Sequence, residues 1–152
     1  SEVLKHRESE NRFLLESKLK EFKEFSDALD KSALVMKTDK RGVVVYANKH
    51  YCDLSGYTQE ELIGRNANIV NSGARPKSYY KKLWNTINNK LPYKILFENK
   101  SKNGSIFHIE TTITPILNIN DDIAYFIAVS HDMTQLVNAL KENQKVQRAK
   151  ED

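Results

Sequence analysis

The side chain of Asn99 is the group in this chain best suited to ligand-binding chemistry. It lies near the end of Tyr93–Lys100, a segment whose composition predicts a β-strand. On such a strand Ile95, Phe97 and Asn99 share one face, so a face apolar enough to be buried also carries a carboxamide. A buried carboxamide requires hydrogen-bond partners. Two alternatives stay open: Asn99 binds a ligand in a cavity beside the sheet, or it bonds the backbone of a neighbouring loop.

A predicted helix at Pro76–Lys90 carries a second group of candidates. The i, i+3, i+4, i+7 spacing of a core-facing stripe is shared by Tyr80, Leu83, Trp84 and Ile87. Most Trp side chains at such a spacing lie in a core, because the large ring buries a large apolar area. The alternative is that Trp84 forms the wall of a pocket beside a planar ligand.

Residues for catalysis or metal binding are not grouped in this sequence. It has no glycine-rich phosphate loop, no paired carboxylates in a plausible cleft and no identifiable Ser/His/Asp set. No metal-ligand spacing connects the four histidines, which are His6, His50, His108 and His131. Strand alternation predicts that His108 points to the outer face of its sheet. We expect no catalytic residue and no metal site, and we predict that Cys52 is an inert buried thiol.

The composition excludes several broad classes of protein. The 152 residues, 39% of them apolar, are enough for one packed domain with polar extensions. The net charge of +4 is spread over interleaved Lys, Arg, Asp and Glu, so we expect no nucleic-acid partner, which would require a one-signed patch. No apolar run approaches the roughly 20 residues of a membrane span. A single cysteine suits a reducing compartment, and we expect a cytoplasmic domain whose parent protein could carry a membrane anchor elsewhere.

Three segments are predicted along the chain, at residues 1–31, 32–134 and 135–152. The first has neither Pro nor Gly, which predicts a helix. Its apolar seam, spaced 4, 3, 4, 3, consists of Leu15, Leu19, Phe22, Ser26 and Leu29. A coiled-coil homodimer and a helix that folds back on its own domain both fit this seam. We favour the homodimer, because so short an apolar stripe rarely makes a stable helix alone. The last segment predicts a polar exit helix, leading to a downstream output domain.

The middle segment predicts a five-stranded sheet. Strand-like runs occupy Ala33–Thr38, Val43–Tyr46, Tyr93–Lys100, Ile106–Ile116 and Ala124–His131. One turn signal separates the first strand from the second, and another separates the third from the fourth. Between these two pairs, Thr58 and Glu61 predict a capping box at the start of a short helix. Two strands, several short helices and three further strands indicate an α+β fold, in which an antiparallel sheet carries helices on one face.

Seven short motifs follow one another along this segment: Gly42-Val-Val-Val-Tyr-Ala-Asn48, Ser55-Gly-Tyr-Thr-Gln-Glu-Glu-Leu-Ile-Gly64, Asn71-Ser-Gly73, Leu83-Trp-Asn-Thr-Ile87, Asn99-Lys-Ser-Lys-Asn-Gly104, Thr114-Pro-Ile116 and His131-Asp-Met-Thr134. In this order and at this spacing they resemble the PAS family of sensor domains over roughly residues 32–134. The resemblance implies the PAS fold and a sensory module that detects a small ligand or a redox state. It also implies a larger signalling protein, such as a histidine kinase or a diguanylate cyclase, whose catalysis would lie outside this segment.

A second hypothesis belongs to a different class of function. The aromatic residues could fill the interior without any ligand, and they are Tyr46, Phe97, Phe107, Tyr125 and Phe126. The domain would then be cofactor-free and would serve only for dimerisation or for binding another protein.

The resemblance also implies ligand roles for particular residues. PAS domains of the aerotaxis and nitrogen-fixation redox sensors place an Asn at the start of the same turn, where it meets a flavin ring. Asn99 is therefore implied to contact a flavin, although the Trp that usually precedes this strand is Tyr93 here. The predicted cofactor-binding set is Asn99, Phe97, Trp84, Tyr80, Ile69 and Asn48. The expected cofactor is FAD or none.

Two related cofactor chemistries are disfavoured, and one signalling role is implied. The light-oxygen-voltage branch of the family has a cysteine where Ala67 stands here, so cysteinyl photochemistry on FMN is not available. Heme-binding PAS domains typically take the iron on a His of the long helix, and Pro76–Lys90 contains none. Asp132 and Thr134 resemble the Asp-x-Thr that ends many PAS cores. We predict that they cap the exit helix and relay the signal to it.

Overall fold

A computed structural model describes residues 1–151 of the chain; Asp152, the last residue of the predicted exit segment, lies outside the described residues. The helices are α1 (Glu2–Ser32), α2 (Lys49–Ser55), α3 (Gln59–Leu62), α4 (Lys77–Asn88) and α5 (Thr134–Glu151). The strands are β1 (Leu34–Thr38), β2 (Val44–Ala47), β3 (Tyr93–Lys100), β4 (Ile106–Leu117) and β5 (Ile123–Asp132). A 3-10 turn occupies Ala67–Val70. The chain divides into two compact units, of which the first is residues 1–32.

The second unit is built on one antiparallel sheet with the strand order β2-β1-β5-β4-β3. The predicted α+β fold, with its five-stranded antiparallel sheet and flanking helices, is confirmed. The sheet consists of the hairpin β1–β2 and the three-stranded meander β3–β4–β5, which are joined by the pairing of β1 with β5. The long connection from β2 to β3 contains α2, α3, the 3-10 turn and α4. Because this connection leaves the sheet at β2 and returns to it at β3, its helices can pack on one face of the sheet.

Local turn and cap chemistry accounts for the tight connections. The Asp39 carboxylate accepts hydrogen bonds from the backbone N–H groups of Arg41 and Val43. The bond from Val43 is the largest influence that lowers the pKa of Asp39, since a carboxylate that accepts hydrogen bonds is stabilised in its charged form. At α3 the predicted capping box is confirmed, with the Thr58 and Glu61 side chains each accepting from the other's backbone N–H.

Two apolar clusters hold the helices against the inner face of the sheet. The first is centred where α2, α3 and the 3-10 turn meet β1, β2 and β4, and its buried members include Met36, Val44, Tyr51, Leu62 and Phe107. The second joins α4 to the sheet through Leu83, Ile87, Ile95 and Phe126. Because apolar burial is the main driving force for packing, these two clusters fix the distance between the helices and the sheet.

Two aromatic side chains of the ligand-free hypothesis lie away from these clusters. The ammonium of Lys37 lies over the rings of Tyr46 and Tyr125, at 5.4 and 5.8 Å from their centroids. Lys37 follows Met36 on β1, and the Met36 side chain belongs to the inner cluster. Because successive side chains on a strand point to opposite faces, the contact of Lys37 with the two rings lies on the outer face of the sheet. Tyr46 and Tyr125 therefore do not fill the interior, and of the five aromatic residues named in that hypothesis only the three phenylalanines contribute to it.

The first unit is the single helix α1. None of its residues is buried. Its apolar side chains are largely exposed, as Leu15, Leu19 and Phe22 illustrate at 60%, 58% and 69%, while Ser26 and Leu29 are half-buried. Within residues 1–151, no helix combines the length and the apolar character that a membrane crossing needs.

Candidate ligand-binding site

A cavity of about 460 Å³ lies between the helices and the inner face of the sheet. Its apolar lining includes Met36, Leu83, Ile87, Ile109 and Phe126. Its polar lining includes Asn66, Asn68, Asn71, Asn99, Thr111 and Ser130, with Lys77 and Lys81 contributed by α4. Apolar walls with a few polar groups are typical of sites that bind small molecules, and this volume falls within their usual range.

Asn99 is the buried carboxamide of this cavity. The residue is 4% exposed, and its backbone is held by an antiparallel bridge to Asn71 at the edge of the sheet. In the part of the chain that the structure describes, the Asn99 side chain makes no hydrogen bond. The loop therefore bonds the backbone of Asn99 and leaves the carboxamide to the cavity. A carboxamide in such a position can donate and accept at the same time.

Aromatic rings form one wall of the cavity. Tyr80 of α4 and Phe97 of β3 stack with their centroids 6.2 Å apart and 19° between their planes. Trp84 lies one turn further along α4 and is 43% exposed, so it belongs to the cavity wall rather than to the core. Its ring lies close to the turn before β2, where a Cβ at Gly42 would stand 3.6 Å from it. Flat ring faces of this kind suit a planar ligand.

A hydroxyl pair lies on the floor of the cavity. Thr111 of β4 faces Ser130 of β5 in the register of the sheet. Their oxygens are 2.7 Å apart, and either can be the donor. Both residues are 2% exposed. They follow the inward alternation of Ile109 and Ala128, so they present hydroxyl groups beside these apolar side chains.

Asn48 and Ile69 of the predicted cofactor-binding set do not line the cavity. The Asn48 side chain accepts from the backbone N–H groups of Val35 and Tyr51, and it donates to the carbonyl of Ala33. It caps α2 and ties that helix to β1. Ile69 packs against the first apolar cluster. The structure thus brings together four of the six predicted residues, namely Asn99, Phe97, Trp84 and Tyr80.

Three further residues discussed from the sequence lie around the site. Ala67 is part of the cavity lining. Tyr93 packs against the second apolar cluster instead of lining the cavity. Cys52 is half-buried against the first cluster, and burial, assisted by the charges of Asp53 and Glu60, raises the pKa of its thiol. A raised pKa keeps the sulfur in its unreactive thiol form.

The beginning of α5 is connected to the sheet by a short hydrogen-bond chain. The Asp132 carboxylate accepts from the backbone N–H of Thr134 at 3.0 Å and from its hydroxyl at 2.6 Å. The same hydroxyl oxygen accepts from the backbone N–H of His108 at 2.9 Å. The hydroxyl oxygen of Thr134, in the first turn of α5, is therefore hydrogen-bonded both to β4 and to the end of β5.

His108 follows the outward alternation predicted for it, since its neighbours Phe107 and Ile109 belong to the inner cluster. It is nevertheless buried, beside the exit helix. Burial, followed by the positive charge of Lys141, lowers the pKa of its imidazole, while the carboxylate of Glu98 opposes the shift.

Sequence reasoning missed several polar residues of the cavity. For Thr111 and Ser130 a signal existed, because they are in phase with the apolar residues Ile109 and Ala128 on their own strands. For the asparagines of the loop between α3 and α4 there was no comparable signal. Their positions depend on hydrogen bonds between this loop and the sheet, such as that from Ser72 to Glu98.

The fold agrees with the comparison to known proteins. A family model described as a PAS domain matches residues 31–135, and the chain belongs to this family. The crystal structure of the PAS domain of a protein from Colwellia psychrerythraea superposes with a TM-score of 0.68 at 23% identity, over 75% of this chain and 98% of that one. At this identity the superposition supports the fold alone.

Curated relatives place the domain among signalling proteins. A nitrogen fixation regulatory protein of Klebsiella oxytoca is 26% identical over 68% of this chain and 21% of its own length. A blue-light photoreceptor of Listeria innocua is 34% identical over 62% of this chain and 37% of its own length. The chain thus spans between about a fifth and two fifths of these relatives. PAS domains in such proteins are sensory modules, and a domain of this kind is generally non-catalytic.

Proposed function

We propose that this domain is a sensor that binds a planar heterocyclic ligand of the flavin class in the inner cavity and relays its presence through Asp132 and Thr134 to α5. The observation that carries the proposal is the Asn99 side chain, buried in the lining of the cavity and without a hydrogen-bond partner within residues 1–151. The carboxamide faces the cavity, where it can donate to and accept from a ligand with an amide-like edge.

The shape of the cavity supports a planar ligand. The Trp84 ring and the Tyr80–Phe97 stack offer flat apolar surfaces beside the Asn99 carboxamide. Among the solved structures of similar fold is one described as a flavin analogue study of a light-oxygen-voltage domain, at a TM-score of 0.67 and 18% identity. Ala67 replaces the reactive cysteine of that branch, so the proposed ligand would be sensed without a bond to sulfur.

The relay is supported by the hydrogen-bond chain at the start of α5. Ser130 lies on the cavity floor and Asp132 is two residues further along the same strand. A shift of β5 caused by the ligand would change the bonds that Thr134 makes to Asp132 and His108. The ligand would thereby select between two arrangements of the exit helix, which is a population shift.

The alternative function is a cofactor-free module for dimerisation or protein interaction. It would require the interior to be filled by its own side chains, but an open volume of about 460 Å³ remains, and two of the five aromatic residues invoked for filling lie on the outer face. Close packing leaves few voids larger than a water molecule in an ordinary core. The cavity therefore favours the ligand-binding function.

Spectroscopy of the purified protein tests the ligand. A bound oxidised flavin absorbs near about 450 nm, and riboflavin added to ligand-free protein should quench the emission of Trp84, which is the one Trp in the sequence. The variant Trp84→Phe is the matched control, because it should bind riboflavin but give no such emission. A colourless protein that carries no ligand by native mass spectrometry and leaves riboflavin unbound would support the cofactor-free function instead.

We further propose that α1 forms a parallel coiled coil with a second copy of the chain. The exposed apolar side chains of its seam support this, with Leu15, Leu19 and Phe22 all more than half exposed. The double variant Leu19→Asp, Phe22→Asp should be monomeric by light scattering while wild type is dimeric. Glu16→Asp, Glu24→Asp serves as a control on the same helix. A dimeric seam variant would show that another surface carries the association.

The parent protein is proposed to be a sensor kinase or another signalling enzyme. A blue-light-activated histidine kinase of Brucella canis is 26% identical over 67% of this chain and 21% of its own length. The α5 helix would connect the sensor to such an output domain in the cytoplasm. Catalysis would reside in the output domain.

A further inference from the structure

The Thr111–Ser130 hydroxyl pair contains a hydrogen-bond donor that has no acceptor. Each hydroxyl has one proton, and the 2.7 Å contact between the two oxygens uses only one of them. No other group in residues 1–151 is hydrogen-bonded to either hydroxyl. One O–H therefore remains, on the floor of the cavity and on residues that are 2% exposed.

A spare donor at this position is unfavourable unless something accepts from it. A buried hydroxyl without a partner costs free energy, whereas valine and alanine at the same positions would have none to satisfy. The inward-facing residues beside the pair, Ile109 and Ile113 on β4 and Ala128 on β5, are apolar. The polarity of the pair is therefore not required by its immediate surroundings.

We propose that the Thr111–Ser130 pair is the second polar anchor of the cavity and donates one hydrogen bond to an acceptor atom of the ligand, at the end of the ligand opposite to Asn99. This inference rests on the proposed function, because it assigns a further contact within the same cavity. It also specifies the ligand: a fused ring system with an amide-like edge for Asn99 and a ring nitrogen or carbonyl acceptor for the pair.

The register of the sheet sets the length of that ligand. Thr111 pairs with Ile95, which is four residues before Asn99 on β3. Four residues at about 3.4 Å each, and one strand spacing of about 4.8 Å, separate the Cα atoms of Asn99 and Thr111 by roughly 14 Å. After two hydrogen bonds of about 2.9 Å are subtracted, the distance left exceeds a single six-membered ring. Two or three fused rings span it.

The test is riboflavin affinity, measured by titration of the full chain. The decisive variant is Thr111→Val, Ser130→Ala, which removes both hydroxyls together and so leaves no buried polar group unpaired; loss of both partners is close to neutral for stability. We expect it to stay folded by circular dichroism and to bind riboflavin about three- to tenfold more weakly, the usual effect of one hydrogen bond. The absorption band of bound riboflavin should also shift, because the ring loses a hydrogen bond.

The control is Thr112→Val. Thr112 is the next residue on β4 and pairs with β5 at Val129, but it faces the outer side of the sheet and does not line the cavity. It should leave both affinity and spectrum unchanged. Of the two single variants, Thr111→Val and Ser130→Ala, only one should weaken riboflavin binding as much as the double variant does. That single variant identifies the hydroxyl that donates to the ligand.

The outcomes separate the two proposals. If wild type binds riboflavin and the double variant binds it with the same affinity and spectrum, the anchor is disproved while the proposed sensor function stands. If wild type does not bind riboflavin, the flavin-class function fails, and the anchor fails with it.

Discussion

Asn48 and Asn99 are equally buried, at 3% and 4% exposed, but their surroundings use them in opposite ways. The carboxamide of Asn48 makes three hydrogen bonds where β1 meets α2. That of Asn99 makes none within the described residues and opens into the cavity. Asn48 therefore serves the packing of α2 on β1, whereas the carboxamide of Asn99 is left to the cavity, where the proposed function assigns it to the ligand.

The largest effect expected from this comparison is on stability at Asn48. The variant Asn48→Ala removes an N-cap and leaves the N–H of Val35 and the carbonyl of Ala33 without that partner. We expect the free energy of unfolding to fall by about 3 kcal/mol, measured by urea denaturation. Asn48→Asp keeps the accepting oxygen and should lose clearly less. A loss below about 1 kcal/mol for Asn48→Ala would remove the distinction between the two asparagines.

The second effect concerns ligand affinity at Asn99. The variant Asn99→Leu should bind riboflavin about tenfold more weakly, because the ligand loses one or two hydrogen bonds. The same change should leave the unfolding free energy of the ligand-free domain unchanged within about 0.5 kcal/mol, or raise it, since no intramolecular bond is broken. A large loss of stability with normal riboflavin affinity would instead assign Asn99 the structural role of Asn48.

The smallest effect is the pH dependence contributed by His108, a third buried polar side chain. Its pKa is lowered by burial and by Lys141, so the unfolded chain binds the proton more tightly than the folded chain. Its contribution to stability is therefore complete above the unfolded value of about 6.5 and declines as the pH falls below it. Glu98, Arg75 and Asp132 also act on this imidazole.

A comparison of wild type with His108→Gln isolates this contribution. Unfolding free energies measured by urea denaturation from pH 7 to pH 5 should fall more steeply for wild type than for the variant, which has no proton to bind at that position. Parallel curves would mean that the folded protein protonates His108 as easily as the unfolded chain does.

Much of the fold followed from local pattern. The alternation on β3 was sufficient to place Ile95, Phe97 and Asn99 on one face, and the pair Thr58 and Glu61 was sufficient for a capping box. Such features depend on neighbours within a few residues, and the physics that produces them is local. The family motifs then implied the PAS fold, while the strand order came from the structure.

Trp84 and Asn48 show where local pattern was not enough. Trp84 has the spacing of a core residue, but its side chain lies at the cavity wall and is 43% exposed, whereas Leu83 and Ile87 of the same stripe are buried. Asn48 belongs to a family motif, but its partners Ala33 and Val35 are more than a dozen residues earlier in the chain. Neither position could be assigned before the elements were packed together.

The sequence by itself determined the class of fold, the inward face of β3 and the absence of a cysteine at position 67. Only the tertiary structure decided that Asn48 is fully bonded and Asn99 is not, and that Thr111 meets Ser130 across two strands. The physical reason is the separation along the chain between the residues that determine each feature. Side-chain alternation is a property of one strand, whereas a hydrogen-bond partner is set by register and packing between segments that are distant in the chain.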